Sequence, residues 1–193
     1  MNPLAIVQMI WDALTKPRQH VVVQEIPPGR TLDIGGGGEG VIAQAGGARI
    51  VAVDRYLSEI HEARGKALAA AWVTADATAL PFATHCFDSA AAFFSCMYMA
   101  DDTKQKVFRE AWRVLRAGGA LWIWDARMGS RGKAFAIRLR VDLPGRPAIH
   151  TTYGVRAKNQ SAASIAGQLQ DAGFEPQVVV DQGYWFLIKA RRV

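Results

Sequence analysis

Cysteine is scarce: Cys86 and Cys96 are the only two in 193 residues. Their spacing matches neither a redox pair nor a metal-ligand set. They suit a reducing compartment and read as packing residues, and no metal is expected. No apolar run is long enough to cross a membrane. The run Leu4 to Trp11 is interrupted by Gln8 and follows no basic region, so it does not read as a signal peptide. Half of the residues are hydrophobic, and no disordered tail is evident. One cytoplasmic domain over 1–193, long enough for a full sheet, is therefore expected. Acidic residues are missing from one region. Between Ala126 and Gln160, Asp142 stands alone against Arg127, Arg131, Lys133, Arg138, Arg140, Arg146, Arg156 and Lys158. The net charge of the whole chain is +6, so this segment carries essentially all of it.

What is abundant is glycine, in one place. Thr31-Leu32-Asp33-Ile34 reads as an apolar strand, Gly35-Gly36-Gly37-Gly38-Glu39-Gly40 as a loop, and Val41 onward as a helix. A strand, a glycine turn and a helix N-terminus form the nucleotide-binding corner of a doubly wound α/β fold. Gly35, Gly37 and Gly40 satisfy G-x-G-x-x-G, which fits a nicotinamide, a flavin or S-adenosylmethionine. Asp33 separates these by charge sign. A carboxylate at the strand end repels a pyrophosphate on the helix N-terminus and attracts the ammonium of a methionine moiety. The other reading of Asp33 is a cap on the turn.

Before the loop, Pro3 to Leu14 has helical spacing and is ended by Pro17. It is a lid or a packing helix, and Val21-Val22-Val23 lies in the connector that follows. After the loop, Arg49 to Asp54 is a second strand. Asp54 lies where a carboxylate accepts ribose hydroxyls, followed by Arg55, and Ser58 is the better cap for the next helix, which runs to about Ala70. Trp72 to Asp76 is a third strand. Cys86 to Phe94 is a fourth, with Ser95 to Ala100 at the crevice. Asp101 and Asp102 open a helix that Gly118 and Gly119 stop. Ala120 to Trp124 is a fifth strand, buried on both faces. Ser161 to Ala172 is the last helix. Gln177 to Val180 and Tyr184 to Ile188 are joined through Asp181-Gln182-Gly183, a hairpin that makes the final strand antiparallel. A dinucleotide-binding domain would instead be parallel throughout.

Several short pieces then recur in one order: Leu32-Asp33-Ile34-Gly35-Gly36-Gly37, Val53-Asp54, Asp76-Ala77 with Leu80-Pro81-Phe82, Phe87-Asp88, and Val114 to Gly119. Together they resemble the class I S-adenosylmethionine-dependent methyltransferases, and most generally the small stand-alone group that includes the quinone-biosynthesis enzymes. The resemblance covers about residues 30–125. It implies a Rossmann-like seven-stranded sheet, mostly parallel with an antiparallel last strand. It implies S-adenosyl-L-methionine as cofactor and a small-molecule acceptor. By the same resemblance Asp33, Gly35, Gly36 and Gly37 hold the methionine portion and Asp54 and Arg55 the ribose side. Asp76 and Ala77 hold the adenine edge, and Phe94 and Ser95 the sulfonium side. The family loop usually closes with glycine at the position of Glu39, whereas here it falls at Gly40. Asn-Pro-Pro-Tyr and Pro-Cys motifs are absent, which speaks against adenine-N6 and cytosine-C5 methylation of DNA.

The segment 126–158 is the part the resemblance leaves open. Phe135, Ile137, Leu139, Val141 and Leu143 alternate with Ala136, Arg138, Arg140 and Asp142, and the alternation resumes from Ile149 to Val155 beyond a Pro-Gly turn. A β-hairpin insertion after strand five is expected, standing over the methionine end of the cofactor, with its apolar side closing the acceptor pocket. Around it, 1–29 is a helical cap, 30–125 the cofactor core and 159–193 the final helix and hairpin. Tyr98, Arg138, Arg140, His150 and Tyr153 are the candidate substrate residues, and no catalytic residue is assigned. If the arginine face turns to the crevice, the acceptor is anionic: a carboxylate, a phosphate or an RNA backbone. Otherwise the face is a solvated guard on an edge strand, or the hairpin edge pairs with a second subunit, giving a homodimer in place of a monomer. Two other functions stay open: a non-catalytic S-adenosylmethionine-binding regulator and a nicotinamide-dependent oxidoreductase.

Overall fold

The computed structural model describes residues 6–7, 11, 15–129, 134–156 and 158–193. Most of the expected Pro3 to Leu14 helix lies outside the described residues, as do Arg131 and Lys133 of the basic segment. The central layer is a seven-stranded sheet. Its strands are β2 (Thr31–Ile34), β3 (Ile50–Asp54), β4 (Ala71–Thr74), β5 (Phe87–Phe93), β6 (Leu115–Ala126), β9 (Phe174–Gln182) and β10 (Trp185–Arg192), in the spatial order β4-β3-β2-β5-β6-β10-β9. Strand β10 runs antiparallel to both β6 and β9, while β2 to β6 pair in parallel. The strand order reverses beside β2, which opens a crevice at the carboxyl ends of β2 and β5.

Alternation along β6 decides the two faces. Leu121 and Ile123 point into one apolar cluster, with Val107, Phe108 and Ala111 of α3 (Asp101–Val114) and Ile165 and Leu169 of α4 (Ala162–Asp171). Trp122 and Trp124 point into the other, with Val41 and Ile42 of α1 (Val41–Gly46). There the cover is mostly β-structure. Strand β7 (Ala134–Asp142) pairs antiparallel with β8 (Ile149–Arg156), and β1 (Gln19–Val22) pairs parallel with β7 in register from Gln19↔Leu139 to Val22↔Asp142. The valines read as connector from sequence are thus the edge of a second, three-stranded sheet. Alternation is invisible in a run of three valines, and their partner lies far along the chain. Phe135, Ile137, Leu139 and Val141 are all buried in the Trp122 cluster. Along β7 this apolar side is core packing, where the sequence suggested the wall of an acceptor pocket; Tyr153 of β8 shares the side and is only partly buried.

Other boundaries shift for local reasons. Helix α2 (Leu57–Lys66) begins after Tyr56, whose amide is held by Asp54 Oδ1 at 3.0 Å, so Ser58 lies inside the helix and caps nothing. Helix α3 has no side-chain cap; Asp101 and Asp102 sit in its first turn and favour it through the helix dipole. It ends at Val114, and Gly118 and Gly119 lie inside β6 at a shift of register against β5. Helix α4 carries a capping box, Ser161 and Ser164 each accepting the other's backbone N–H. The last hairpin turns on two residues, Gly183 and Tyr184, since Gln182 already pairs with Trp185.

Candidate active site

Strand β2 delivers Asp33 to the crevice, and the glycine loop is packed around its carboxylate. Gly35 has φ +70°, and a Cβ there would stand 2.6 Å from that of Ser95. A Cβ on Gly36 would fall on Asp33 Oδ2. Only glycine permits this turn and this approach. The Gly35 and Gly36 amides donate to Val53 O at 2.9 and 3.1 Å, which ties the loop to β3. The result is a carboxylate 1% exposed, with neither oxygen hydrogen-bonded among the described residues. Burial, reinforced by the charge of Asp54, pushes Asp33 up to about 7. An orphaned buried carboxylate costs several kcal/mol unless a cation meets it, so Asp33 marks a cation site more than a turn cap.

Asp54 ends β3 on the neighbouring strand. Its Oδ2 takes the Gly37 amide at 3.2 Å and its Oδ1 the Tyr56 amide. Arg55 is exposed and lies over the ring of Tyr56. Asp76 follows β4 and is exposed. Its Oδ1 accepts the Thr78 amide at 2.9 Å and hydroxyl at 2.7 Å, and the amide bond first of all holds its pKa below the usual carboxylate value. Ala77 is half-buried beside it. Across the crevice Phe94 adopts φ +50°, a conformation rare for a bulky side chain, with its amide donating to Trp124 O at 2.7 Å. Ser95 Oγ donates to Ile34 O at 2.8 Å, joining the ends of β5 and β2.

The comparisons with known proteins give the arrangement its family. Residues 32–123 match the model of the methyltransferase domain family. Over that stretch, just under half of the chain, the sequence is similar to methyltransferase domains. Over 106 residues, half of this chain, it is 36% identical to the ubiquinone/menaquinone biosynthesis C-methyltransferase UbiE of Roseobacter denitrificans, and the match spans 42% of that protein's length. A methyltransferase structure from Mesorhizobium loti superposes with a TM-score of 0.63 at 17% identity, covering 87% of this chain and 93% of the other. One from Methanosarcina mazei does so with 0.63 at 17%, covering 100% and 98%. At such identity these two likenesses speak for the fold alone.

Around the methyltransferase domain the substrate candidates divide. Tyr153 projects from β8 onto Phe94, the rings stacked at 5.6 Å and 24°. Its hydroxyl is bonded to Thr151, and burial first, then the charge of Glu39, pushes its pKa up. Tyr98 lies in a 3-10 turn, Cys96–Tyr98. The residue is 51% exposed, yet its hydroxyl is tucked against the Gly154 amide, and burial pushes its pKa up to about 12. Phe94, Tyr98 and Tyr153 therefore meet. Arg138, Arg140 and His150 do not join them. They lie on the hairpin face opposite Ile137 and Tyr153. Arg138 donates to Lys16 O at 3.0 Å, Arg140 to Asp142 Oδ1 at 3.0 Å, and His150 is exposed. The arginine face is turned from the crevice because the apolar face must cover the tryptophans.

One polar group went unread in the sequence. Asp125, near the end of β6, is fully buried and raised to about 6 by burial. It accepts the amides of Ala126 and Met97 at 2.7 and 3.2 Å and the side chain of Gln160 at 2.8 Å. Its signal was present: it is an acid at the carboxyl end of an apolar strand, as Asp33 and Asp54 are.

Proposed function

We propose that this chain transfers the methyl group of S-adenosylmethionine to a small, uncharged acceptor held beside Tyr98 and Tyr153. The observation that carries the reading is Asp33, buried, without a hydrogen-bond partner among the described residues and covered by Gly36. That carboxylate fits the ammonium of the cofactor, Asp54 its ribose and Asp76 its adenine edge. When bound, the cofactor supplies a methyl group already activated by its sulfonium. The chain's part is to hold two reactants in line and exclude water, which contributes about 7–11 kcal/mol in well-oriented systems. In this division 30–125 holds the cofactor and 126–158 covers it.

The chemistry of the residues supports an acceptor whose reacting atom is already nucleophilic. The phenols of Tyr98 and Tyr153 are held protonated, so they serve as surfaces and hydrogen-bond donors and not as bases. None of the histidines is a candidate base: His20 pairs with Asp142, His61 and His85 are exposed, and His150 faces away. Arg127, Arg138 and Arg140 are engaged by Asp181, Lys16 O and Asp142 respectively, which disfavours an RNA backbone or another anion. The Roseobacter relative is a C-methyltransferase of ubiquinone and menaquinone biosynthesis, which supports a small-molecule acceptor.

Calorimetric titration with S-adenosylmethionine and, in parallel, NADH tests the cofactor. Dinucleotide binding with no S-adenosylmethionine binding overturns the reading. Incubating the protein and methyl-labelled cofactor with a metabolite pool tests the rest. Label recovered on a neutral small molecule is expected; label on a polyanion, or no transfer to any member of the pool, overturns it.

A further inference from the structure

Residues 75–86 join β4 to β5 with no helix or strand among them, and Asp76 stands near the start of that span. The span is fixed in two places. Close to Asp76 the fixing is local. Thr78 donates its amide and hydroxyl to Asp76 Oδ1, and the Ala79 amide donates to Asp76 O at 3.0 Å. That leaves Asp76 Oδ2 for a ligand donor. Further on, the fixing comes from α3. Glu110 Oε2 accepts the Leu80 amide at 2.7 Å. Arg113 donates from Nη2 to Leu80 O at 3.0 Å and from Nη1 to Phe82 O at 2.8 Å. The same guanidinium donates to Glu110, from Nε to Oε1 at 2.7 Å and from Nη2 to Oε2 at 2.8 Å. The planar fork of arginine thus serves a carboxylate and two backbone carbonyls at once, which an ammonium cannot do.

An isolated surface ion pair stabilises little. This pair is half-buried, and it takes both backbone groups of Leu80, a residue 5% exposed. A buried amide and carbonyl need partners, and these find them in one clasp. The loop is therefore set before a ligand arrives, and the entropy of ordering a long irregular segment does not weaken binding. We infer that Glu110 and Arg113 are positioning residues for Asp76: through residues 79–82 they hold its carboxylate where it selects the amino group of an adenine over the carbonyl of a hypoxanthine. The inference rests on the cofactor reading above. A carboxylate accepts from the 6-amino donor and repels a 6-oxo acceptor, so the placement of Asp76 decides between the two bases.

The test is calorimetric binding of S-adenosylhomocysteine and S-inosylhomocysteine to the full chain and its variants. The wild-type chain is expected to prefer the adenine ligand by about tenfold or more. Arg113→Lys keeps the charge and loses the fork. It is expected to lose about 3- to 10-fold in affinity for the adenine ligand and less than about twofold for the other. Asp76→Ala is expected to collapse the same preference, and adding Arg113→Lys to it should cost less than about twofold more, since the two act on one contact. Near-ultraviolet circular dichroism confirms that each variant is folded, and Glu110→Gln, equal in shape, replaces Arg113→Lys if that fails. Equal losses for the two ligands in Arg113→Lys, or additive losses in the double variant, make the clasp a support of the fold alone and overturn the inference, with the cofactor reading intact. A wild-type chain that binds neither ligand overturns both.

Discussion

Gln160 Nε2 lies 2.8 Å from Asp125 Oδ1 and 2.8 Å from Ala126 O, so one side-chain amide clasps both the carboxylate and the backbone at the end of β6. The other oxygen of Asp125 holds the Met97 amide, within the turn that presents Tyr98. The clasp therefore links the segment before α4 to the turn that carries Tyr98. Gln160→Ala leaves Asp125 buried without its side-chain amide donor. A loss of about 1–3 kcal/mol in unfolding free energy is expected, read from urea denaturation. An unchanged midpoint would show that Gln160 holds nothing.

Asp33 gives a pH dependence whose sign follows from its environment. Its folded pKa, about 7, stands above the ordinary 3.8, so the folded chain holds this proton more tightly than the unfolded one. Its contribution to stability is most favourable below pH 4 and is lost progressively as pH rises to 7. With about 1.4 kcal/mol per unit, the loss is on the order of a few kcal/mol. Asp33→Asn removes the charge and should abolish this slope. Denaturation curves of both proteins between pH 4 and 8 measure it, and parallel slopes would refute the assignment.

Cofactor affinity should carry the opposite dependence. An ammonium requires the ionised carboxylate, so S-adenosylmethionine should bind more weakly as pH falls below about 7. In Asp33→Asn affinity should be lower at pH 8 and nearly flat with pH. Calorimetry at pH 5.5 and 8 decides; the same drop in both proteins would place the titrating group elsewhere.

The arginine face should be dispensable for catalysis. Replacing Arg138 and Arg140 together by Gln is expected to leave kcat/KM on the identified acceptor within about twofold, at low and at high salt. A selective fall at low salt would restore the anionic-acceptor reading.

Two glycines separate cleanly. A Cβ at Gly65, inside α2, meets nothing within 4 Å, so Gly65→Ala should stabilise by about 0.5–1 kcal/mol. Gly36→Ala drives a methyl onto Asp33 and should cost both stability and S-adenosylmethionine affinity. Thermal melts with and without ligand compare the two, and a fully competent Gly36→Ala would contradict the packing described.

The cofactor half was legible because its signals are local. A strand, a glycine turn and an acid at each strand end lie within a few residues of one another, and charge sign alone pointed Asp33 toward a cation. The second sheet was half legible: alternation from Phe135 to Leu143 marked a strand, but nothing local says which layer its apolar side covers. That is decided by Trp122 and Trp124, which need a partner on the face that α3 and α4 leave open. Asp125 is hard to read because the apolar run ends at Trp124, one residue before it, while the strand continues to Ala126. The reach of Tyr153 onto Phe94 depends on the placement of a whole sheet, which no window of the sequence contains.

The pairing of β1 with β7 also sets an order of assembly. His20 and Asp142, which meet across it, are 122 residues apart. At a synthesis rate of about 5–20 residues per second, β1 waits on the order of ten seconds for its partner. During that time Val21 and Val23, both buried in the finished protein, have no surface to cover. Closing so long a loop is entropically slow compared with forming neighbouring parallel strands. The small sheet should thus be the last part to gain amide protection in a pulsed hydrogen-exchange refolding experiment, after β2 to β6. Early protection at Val21 would reverse that order. A chain caught before this step holds its glycine loop but lacks Tyr153 above it, and exposes Trp122 and Trp124 as a sticky surface during its own birth.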